Sequence, residues 1–156
     1  MPAKADKTHF TPAEVFNATG VSAAKLNQWI DRGTVIPSRR DRKPNGSGDW
    51  RRMSLETVHQ IAVAAAGVRF RIPARLAAEG ARLLAIAQPG RAAGELFEFG
   101  ITAMVHTEDG IAIRNLDSDA SLSEVFGRPF QNATIIDVGP IIKAVDEAII
   151  SKKDFK

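Results

Sequence analysis

The sequence predicts an α+β fold, in which a basic helical first half precedes a short acidic half that carries a small sheet. Helix-capping signals and 3.6-residue apolar spacing recur between residues 10 and 88, and apolar–polar alternation with hairpin turns follows only after residue 95. Residues 1–82 hold 14 basic and 7 acidic residues, whereas residues 83–156 hold 7 basic and 11 acidic residues. This asymmetry favours a first half that binds a polyanion and a second half with another task.

Two short helices separated by a tight turn are predicted at the start of the helical half. Thr11 and Glu14 have the spacing of a capping box, and Pro12 occupies the first helical position, where its missing N–H costs nothing. Gly20 ends the first helix, and Ser22 caps a second helix over residues 22–32. We expect the apolar side chains of this pair to lie in the core: Val15, Phe16, Leu26, Trp29 and Ile30.

A basic hairpin is predicted after the second helix, over residues 38–52, which we call the wing. It contains six basic and two acidic residues between Arg39 and Arg52. Asn45-Gly46 is a strong hairpin signal because both residues accept positive φ, so the pattern favours two short basic strands around a flexible tip. The alternative is a solvated loop without regular structure.

Two longer helices follow the wing. Ser54 caps a third helix that ends near Gly67, and a fourth runs from Pro73 to about Ala87. Gln88-Pro89-Gly90 breaks the helical run, and residues 91–94 are expected to be a linker. The expected division is therefore a flexible arm at residues 1–9, a helical domain at 10–88 and a small α/β domain at 95–156.

The second half predicts three strands and a covering helix. The strands are expected at residues 96–106, 111–115 and 133–138, with a hairpin turn at 108–110 and one helical turn near 121–126. A last helix is expected from Gly139 to about Lys152. About 60 residues are marginal as an independent unit, so this sheet should either pack on the first half or pair with a second copy.

Composition and motif content exclude most catalytic chemistry. There is no cysteine, which excludes disulfides, thiolate metal sites and a Cys nucleophile. The three histidines share no metal-ligand spacing, and neither a P-loop nor a G-x-S-x-G motif is present. No apolar run approaches the ~20 residues of a membrane span. We therefore expect a cytoplasmic, nucleoid-associated protein that is not an enzyme and uses no metal or cofactor.

The first half resembles the MerR-type winged helix-turn-helix family over residues 10–82, roughly half of the chain. The matching stretches are Thr11–Val15, Gly20–Ser22, Leu26–Trp29, Arg32–Gly33, the wing and Arg51–Val58. The resemblance implies sequence-directed binding of double-stranded DNA, with the second helix in the major groove and the wing on the adjacent backbone. Arg51 matches the wing arginine of the family. Ala24 and Asn27 stand where the family commonly places arginines, and the long dimerising helix of the family is missing.

The predicted DNA contacts fall into two chemical classes. Side chains of the second helix can reach base edges: Ser22, Lys25, Asn27, Gln28 and Arg32, with Lys25 and Gln28 the best base readers. The wing cations suit phosphate or the minor groove: Arg39, Arg40, Arg42, Lys43, Arg51 and Arg52. The alternative is that the polar residues of the second helix are ordinary surface side chains.

The sequence thus predicts a homodimeric transcriptional regulator that binds double-stranded DNA. Its C-terminal domain would dimerise or bind a protein partner. Three alternatives stay open. One is an architectural DNA-binding protein of the excisionase or phage terminase small-subunit type. Another is a protein-interaction adaptor or antitoxin-like module in which the wing is incidental. The third is a ligand sensor, whose pocket would lie between domains or subunits because the C-terminal piece is too small to enclose one.

Overall fold

A computed structural model describes residues 8–46, 49, 51–117 and 131–151, and they form helices and two small antiparallel sheets. The elements, in chain order, are β1 (His9–Phe10), α1 (Pro12–Thr19), α2 (Ala23–Asp31), β2 (Met53–Ser54), α3 (Leu55–Arg69), α4 (Ala74–Leu84), β3 (Ile101–Thr107), β4 (Gly110–Leu116), β5 (Ala133–Asp137) and α5 (Val138–Ser151). The α+β class predicted from the sequence is confirmed.

The predicted caps set the limits of the first helices. In α1 the Thr11 amide donates to the Glu14 carboxylate at 2.8 Å, and the Glu14 amide donates back to the Thr11 hydroxyl. Gly20 ends α1 in the left-handed conformation, at φ 74°. Ser22 and Ser54 cap α2 and α3 through their hydroxyl groups. Local sequence alone therefore fixes where these three helices begin.

The larger sheet has the strand order β4–β3–β5, and both outer strands run antiparallel to β3. The predicted hairpin turn is confirmed, since Thr107 lies opposite Gly110. The first strand begins at Ile101 instead of Leu96. Gly100 precedes it with φ 79°, and a Cβ at this position would lie 2.8 Å from the Leu116 carbonyl oxygen. Close approach of the β4 backbone therefore requires glycine at the start of β3.

One continuous core joins the helical half to the sheet. Val15 and Ile61 from the helices, Met104 and Ile113 from the sheet, and Val145 from α5 are all buried within it. Gly67 and Gly80 permit the tight packing: a Cβ on Gly80 would lie 2.5 Å from the Met104 sulfur. The sheet therefore packs on the first half, one of the two arrangements expected from its small size.

A buried arginine stabilises the segment that connects α4 to the sheet. Arg91 is 4% exposed, and its guanidinium donates hydrogen bonds to five backbone carbonyls: Leu83, Leu84, Ile86, Ala92 and Glu95, at 2.7–3.2 Å. Two of these acceptors, Leu83 and Leu84, lie at the negative end of α4, where a cation is favourable. Burial lowers the pKa of the Arg91 guanidinium. The stretch expected to be a linker thus contains a buried arginine that holds the backbone at the end of α4 in place.

Three expectations fall differently in the structure. Phe16 is 50% exposed and is not a core residue, because α1 buries a single stripe centred on Val15. Helix α4 ends at Leu84 instead of Ala87, since Arg91 takes up its last carbonyls. His9, in the predicted arm, lies in β1. The rest of that arm up to residue 7, and the helical turn expected near 121–126, lie outside the described residues.

Among the described helices none combines the length and apolarity needed to cross a bilayer.

Candidate nucleic-acid interface

Helix α2 separates a buried apolar side from an exposed polar side. Leu26 is 2% exposed and Trp29 is 6% exposed, so both anchor the helix in the core as predicted. Lys25, Asn27 and Gln28 are exposed on the other side. The amide groups of Asn27 and Gln28 can form paired hydrogen bonds with an adenine edge. The exposed side is therefore polar but carries a single cation within the helix.

Three further contacts shape this helix. The Ser22 hydroxyl accepts from the Lys25 amide at 3.2 Å, so it caps the helix and can still donate its own proton to a phosphate or a base acceptor. The Lys25 ammonium lies 5.4 Å from the centre of the Trp29 ring, which holds the lysine along its own helix by a cation–π interaction. Arg32 forms the C-cap and is exposed. Lys25 must therefore leave the Trp29 ring to reach a base edge.

The two sides of the described wing are joined by a single pair of residues. Arg42 and Arg52 exchange both backbone hydrogen bonds, at 2.9 and 3.0 Å, and form an isolated antiparallel bridge. The two regular strands expected around the tip are absent from the described residues of the wing, and Asn45 does not adopt positive φ. Gly46 does, at φ 102°. The described residues of the wing thus contain one paired point at the base and no regular strand.

Asp41 fixes the base of the wing to the start of α3. One of its carboxylate oxygens accepts three hydrogen bonds, from the Ser54 amide at 2.9 Å and from the Ser54 and Thr57 hydroxyls at 2.8 Å. These donors lie at the N-terminus of α3, where a negative charge is favourable. Sequence reasoning missed Asp41, because it appeared only as one acid among six basic residues. The spacing of Asp41 from Ser54 carries no local signal.

Two other contacts hold the same base. The His9 side chain hydrogen-bonds to the Arg40 carbonyl at 2.7 Å, which ties β1 to the wing. The Ser38 hydroxyl donates to the Glu56 carboxylate at 2.9 Å, and the Ser38 amide donates to the Thr57 hydroxyl. The wing therefore leaves the body from a base that is fixed by side chains of β1 and α3.

The wing holds six cations and two carboxylates, and its cations make no ion pairs within the described residues. Five of its cations are exposed and Arg51 is half-buried: the exposed ones are Arg39, Arg40, Arg42, Lys43 and Arg52. Across the part of the chain that the structure describes, none of the six forms an ion pair with a carboxylate. Arg42 and Arg52 are moreover directly opposite each other in the bridge, and like charges in that position are destabilising. The wing concentrates positive charge at a cost to the fold.

A second cationic turn joins α3 to α4. Arg69 and Arg71 are exposed here, and Phe70 between them is 60% exposed. Arg71 has φ 64°, the left-handed conformation, and the amides of Arg71 and Ile72 donate to the Val68 and Gly67 carbonyls. This is the Schellman ending of a helix, in which glycine normally occupies the left-handed position. An arginine is therefore kept where its backbone is strained.

Comparison of the chain with models of protein families and with curated protein sequences finds no match. The described residues also contain no group of three His, Asp or Glu side chains placed to hold a metal ion. The case for a function therefore depends on the geometry and charge of α2 and the wing.

Proposed function

We propose that this protein binds double-stranded DNA through a MerR-like winged helix-turn-helix and acts as a homodimeric transcriptional regulator. One observation carries the proposal: six cations are gathered on a wing whose base is fixed, and no carboxylate of the described residues pairs with them. A folded protein gains nothing from such a cluster by itself, because like charges repel. A polyanionic partner supplies the missing counter-charge.

Double-stranded DNA fits the cluster because phosphate groups are regularly spaced and bind several cations at once. The facing side chains of Arg42 and Arg52 would each meet a phosphate, which replaces their mutual repulsion with two attractions. The anchoring of Asp41 supports this role, since a fixed wing base loses less conformational entropy on binding than a free loop.

In this proposal helix α2 enters the major groove. Only six residue steps separate Arg32 from Ser38, so the end of α2 and the wing base lie within ~20 Å of each other. Both can therefore engage one turn of duplex, which is ~34 Å long. Lys25 and Gln28 would read base edges, while Arg32 and the wing would bind phosphates. The limited base-reading chemistry of α2 also suits recognition of DNA shape.

A two-fold dimer would place two α2 helices about 34 Å apart and select an inverted repeat. The C-terminal sheet and α5 are the parts of the chain that the DNA contacts leave unused. We therefore assign dimerisation, or the binding of a protein partner, to that half.

The test is selection of random and genomic duplex DNA by the purified protein, followed by sequencing of the bound fraction. An enriched inverted repeat supports a dimeric regulator and locates its target genes. Salt-sensitive binding without an enriched motif would replace the regulator with an architectural or packaging protein. Absence of DNA binding at low salt would refute the proposal and favour an interaction module.

A further inference from the structure

A polar cleft of about 290 Å³ lies between α4 and the segment that joins α2 to the wing. We call it the Gln60 cleft, and its principal lining residues are Thr34, Ile36, Gln60, Arg75, Glu79 and Arg82. We propose that the Gln60 cleft binds a small organic anion, one that carries a carboxylate or phosphate group and a second hydrogen-bonding group. This inference goes beyond DNA binding and does not depend on it.

Gln60 is the first observation that points to a ligand. It projects from α3, its residue is only 8% exposed, and its side-chain amide makes no hydrogen bond to any described residue. Among the described residues the fully buried side-chain polar atoms without a partner are Asp41 Oδ2 and Arg91 Nε, so the Gln60 amide, which also makes no bond, can be reached from the cleft. The Gln60 side chain lines the cleft, and it also lines a neighbouring cleft that contains Glu56 and His59. An amide at this depth offers both a donor and an acceptor to a molecule that enters.

Two arginines on one face of α4 are the second observation. Arg75, Glu79 and Arg82 are spaced by four and three residues, which places them on neighbouring turns of the helix. All three are exposed, and no ion pair joins Glu79 to either arginine. Both guanidinium groups therefore keep their hydrogen-bond donors for another partner. Guanidinium groups match carboxylate and phosphate geometry.

The shape of the site favours a small molecule over a DNA backbone. Its volume is close to the lower end of ligand pockets, which is about 300 Å³. Gln60 is only 8% exposed, whereas Arg75 and Arg82 are exposed, so a duplex phosphate would meet the two arginines before the amide. Glu79 leaves the three charged side chains with one net positive charge and offers an acceptor for a hydroxyl or amino group of the ligand.

The wall of the Gln60 cleft that faces α4 lies next to the proposed DNA interface. Thr34 and Val35 are held to the end of α2, since both of their amides donate to the Trp29 carbonyl at 2.8 and 3.1 Å. A molecule seated on Gln60 and Arg75 would therefore touch the segment that connects α2 to the wing.

The experiment follows the side-chain amide resonances of Gln60 by NMR in the full chain. The probes are inorganic phosphate, citrate and ribose 5-phosphate, each matched in ionic strength by sodium chloride. We expect a saturable shift of the Gln60 resonances with at least one anion and none with chloride. We expect an Arg75→Gln/Arg82→Gln variant to bind that anion at least tenfold more weakly. An Arg114→Gln/Lys143→Gln variant, equal in charge, should bind as the wild type does.

A Gln60→Leu variant separates binding from folding. Because the amide makes no hydrogen bond within the described residues, we expect this variant to keep or raise its melting temperature and to lose anion binding, read by calorimetry. Absence of a saturable shift with all three anions would overturn the inference. So would equal loss of binding in the two double variants, or a shift of the Gln60 resonances caused by duplex DNA instead of the small anions.

Discussion

The arginines of the wing and Arg91, which follows α4, have opposite surroundings. Arg91 is buried, and backbone carbonyls accept hydrogen bonds from both of its terminal nitrogens. Arg42 and Arg52 are exposed and opposite each other, and no carboxylate of the described residues pairs with them. At the end of α4 the terminal guanidinium nitrogens are satisfied by backbone carbonyls, whereas the wing cations form no ion pair with a carboxylate of the described residues, and we propose that a polyanionic partner binds them. The surroundings of an arginine, more than its presence, therefore distinguish a structural role from a binding role.

Neutralising the wing should give the largest effect in this comparison. We expect Arg39→Gln/Arg40→Gln/Arg42→Gln to lower DNA affinity by a factor on the order of 10²–10³ at 0.1 M salt, because three phosphate contacts are lost. The salt slope should fall to about half. Fluorescence anisotropy of a labelled duplex measures both quantities. A variant that loses three exposed cations elsewhere, Arg82→Gln/Arg114→Gln/Lys143→Gln, serves as the control. Equal loss of affinity in both variants would mean that the wing has no special role.

Replacing Arg91 should lower the stability of the fold and leave DNA affinity unchanged. We expect Arg91→Met to lower the free energy of unfolding by about 3 kcal/mol, because the carbonyls at the end of α4 lose their donor inside the protein. Urea denaturation measures the change. The matched wing variant Arg39→Met should change stability by less than about 0.5 kcal/mol. If Arg91→Met is as stable as Arg39→Met, the distinction between Arg91 and the wing arginines is wrong.

Reversing one charge of the bridge should separate folding from binding. In Arg42→Glu the repulsion across the bridge becomes an attraction, so we expect stability to rise by about 0.5 kcal/mol. The same change removes a phosphate contact, so DNA affinity should fall roughly tenfold. Thermal denaturation and anisotropy on one preparation report both effects. A loss of stability together with unchanged affinity would contradict our account of the bridge.

Arg71 offers the smallest effect. Arg71→Gly should raise the free energy of unfolding by about 0.5–1 kcal/mol, because glycine accepts φ 64° without strain. Chemical denaturation tests this value, with Arg69→Gly as a control that should destabilise the last turn of α3 by a similar amount. A lower stability in Arg71→Gly would show that the side chain of Arg71 makes a contribution larger than its backbone strain.

Local signals in the sequence predicted much of the fold. The Thr11 and Glu14 capping box, the Ser22 and Ser54 caps and the hairpin at Gly110 depend on neighbouring residues, and the structure contains each of them. Contacts between distant segments could not be predicted in this way. The bonds from Asp41 to Thr57 and the burial of Gln60 arise only when the chain folds back on itself.

In the candidate site, too, some features could be predicted from the sequence and others could not. The positions of Lys25, Gln28 and the exposed wing cations follow from helix periodicity and charge, and they were expected to be accessible. The capping role of Ser22 and the stacking of Lys25 on Trp29 depend on side-chain geometry within the helix. Phe16 was misassigned because hydrophobicity alone does not say which side of a short helix is buried.

The salt dependence of DNA binding by the wild-type protein tests the central claim most directly. Anisotropy of a labelled duplex should be titrated at several salt concentrations between 50 and 200 mM, roughly the range in which phosphate contacts weaken strongly. If the six wing cations each neutralise a phosphate, log K should fall against log salt with a slope of about −5. A slope near zero, or no binding at the lowest salt, would contradict the claim that the cations of the wing serve to bind DNA.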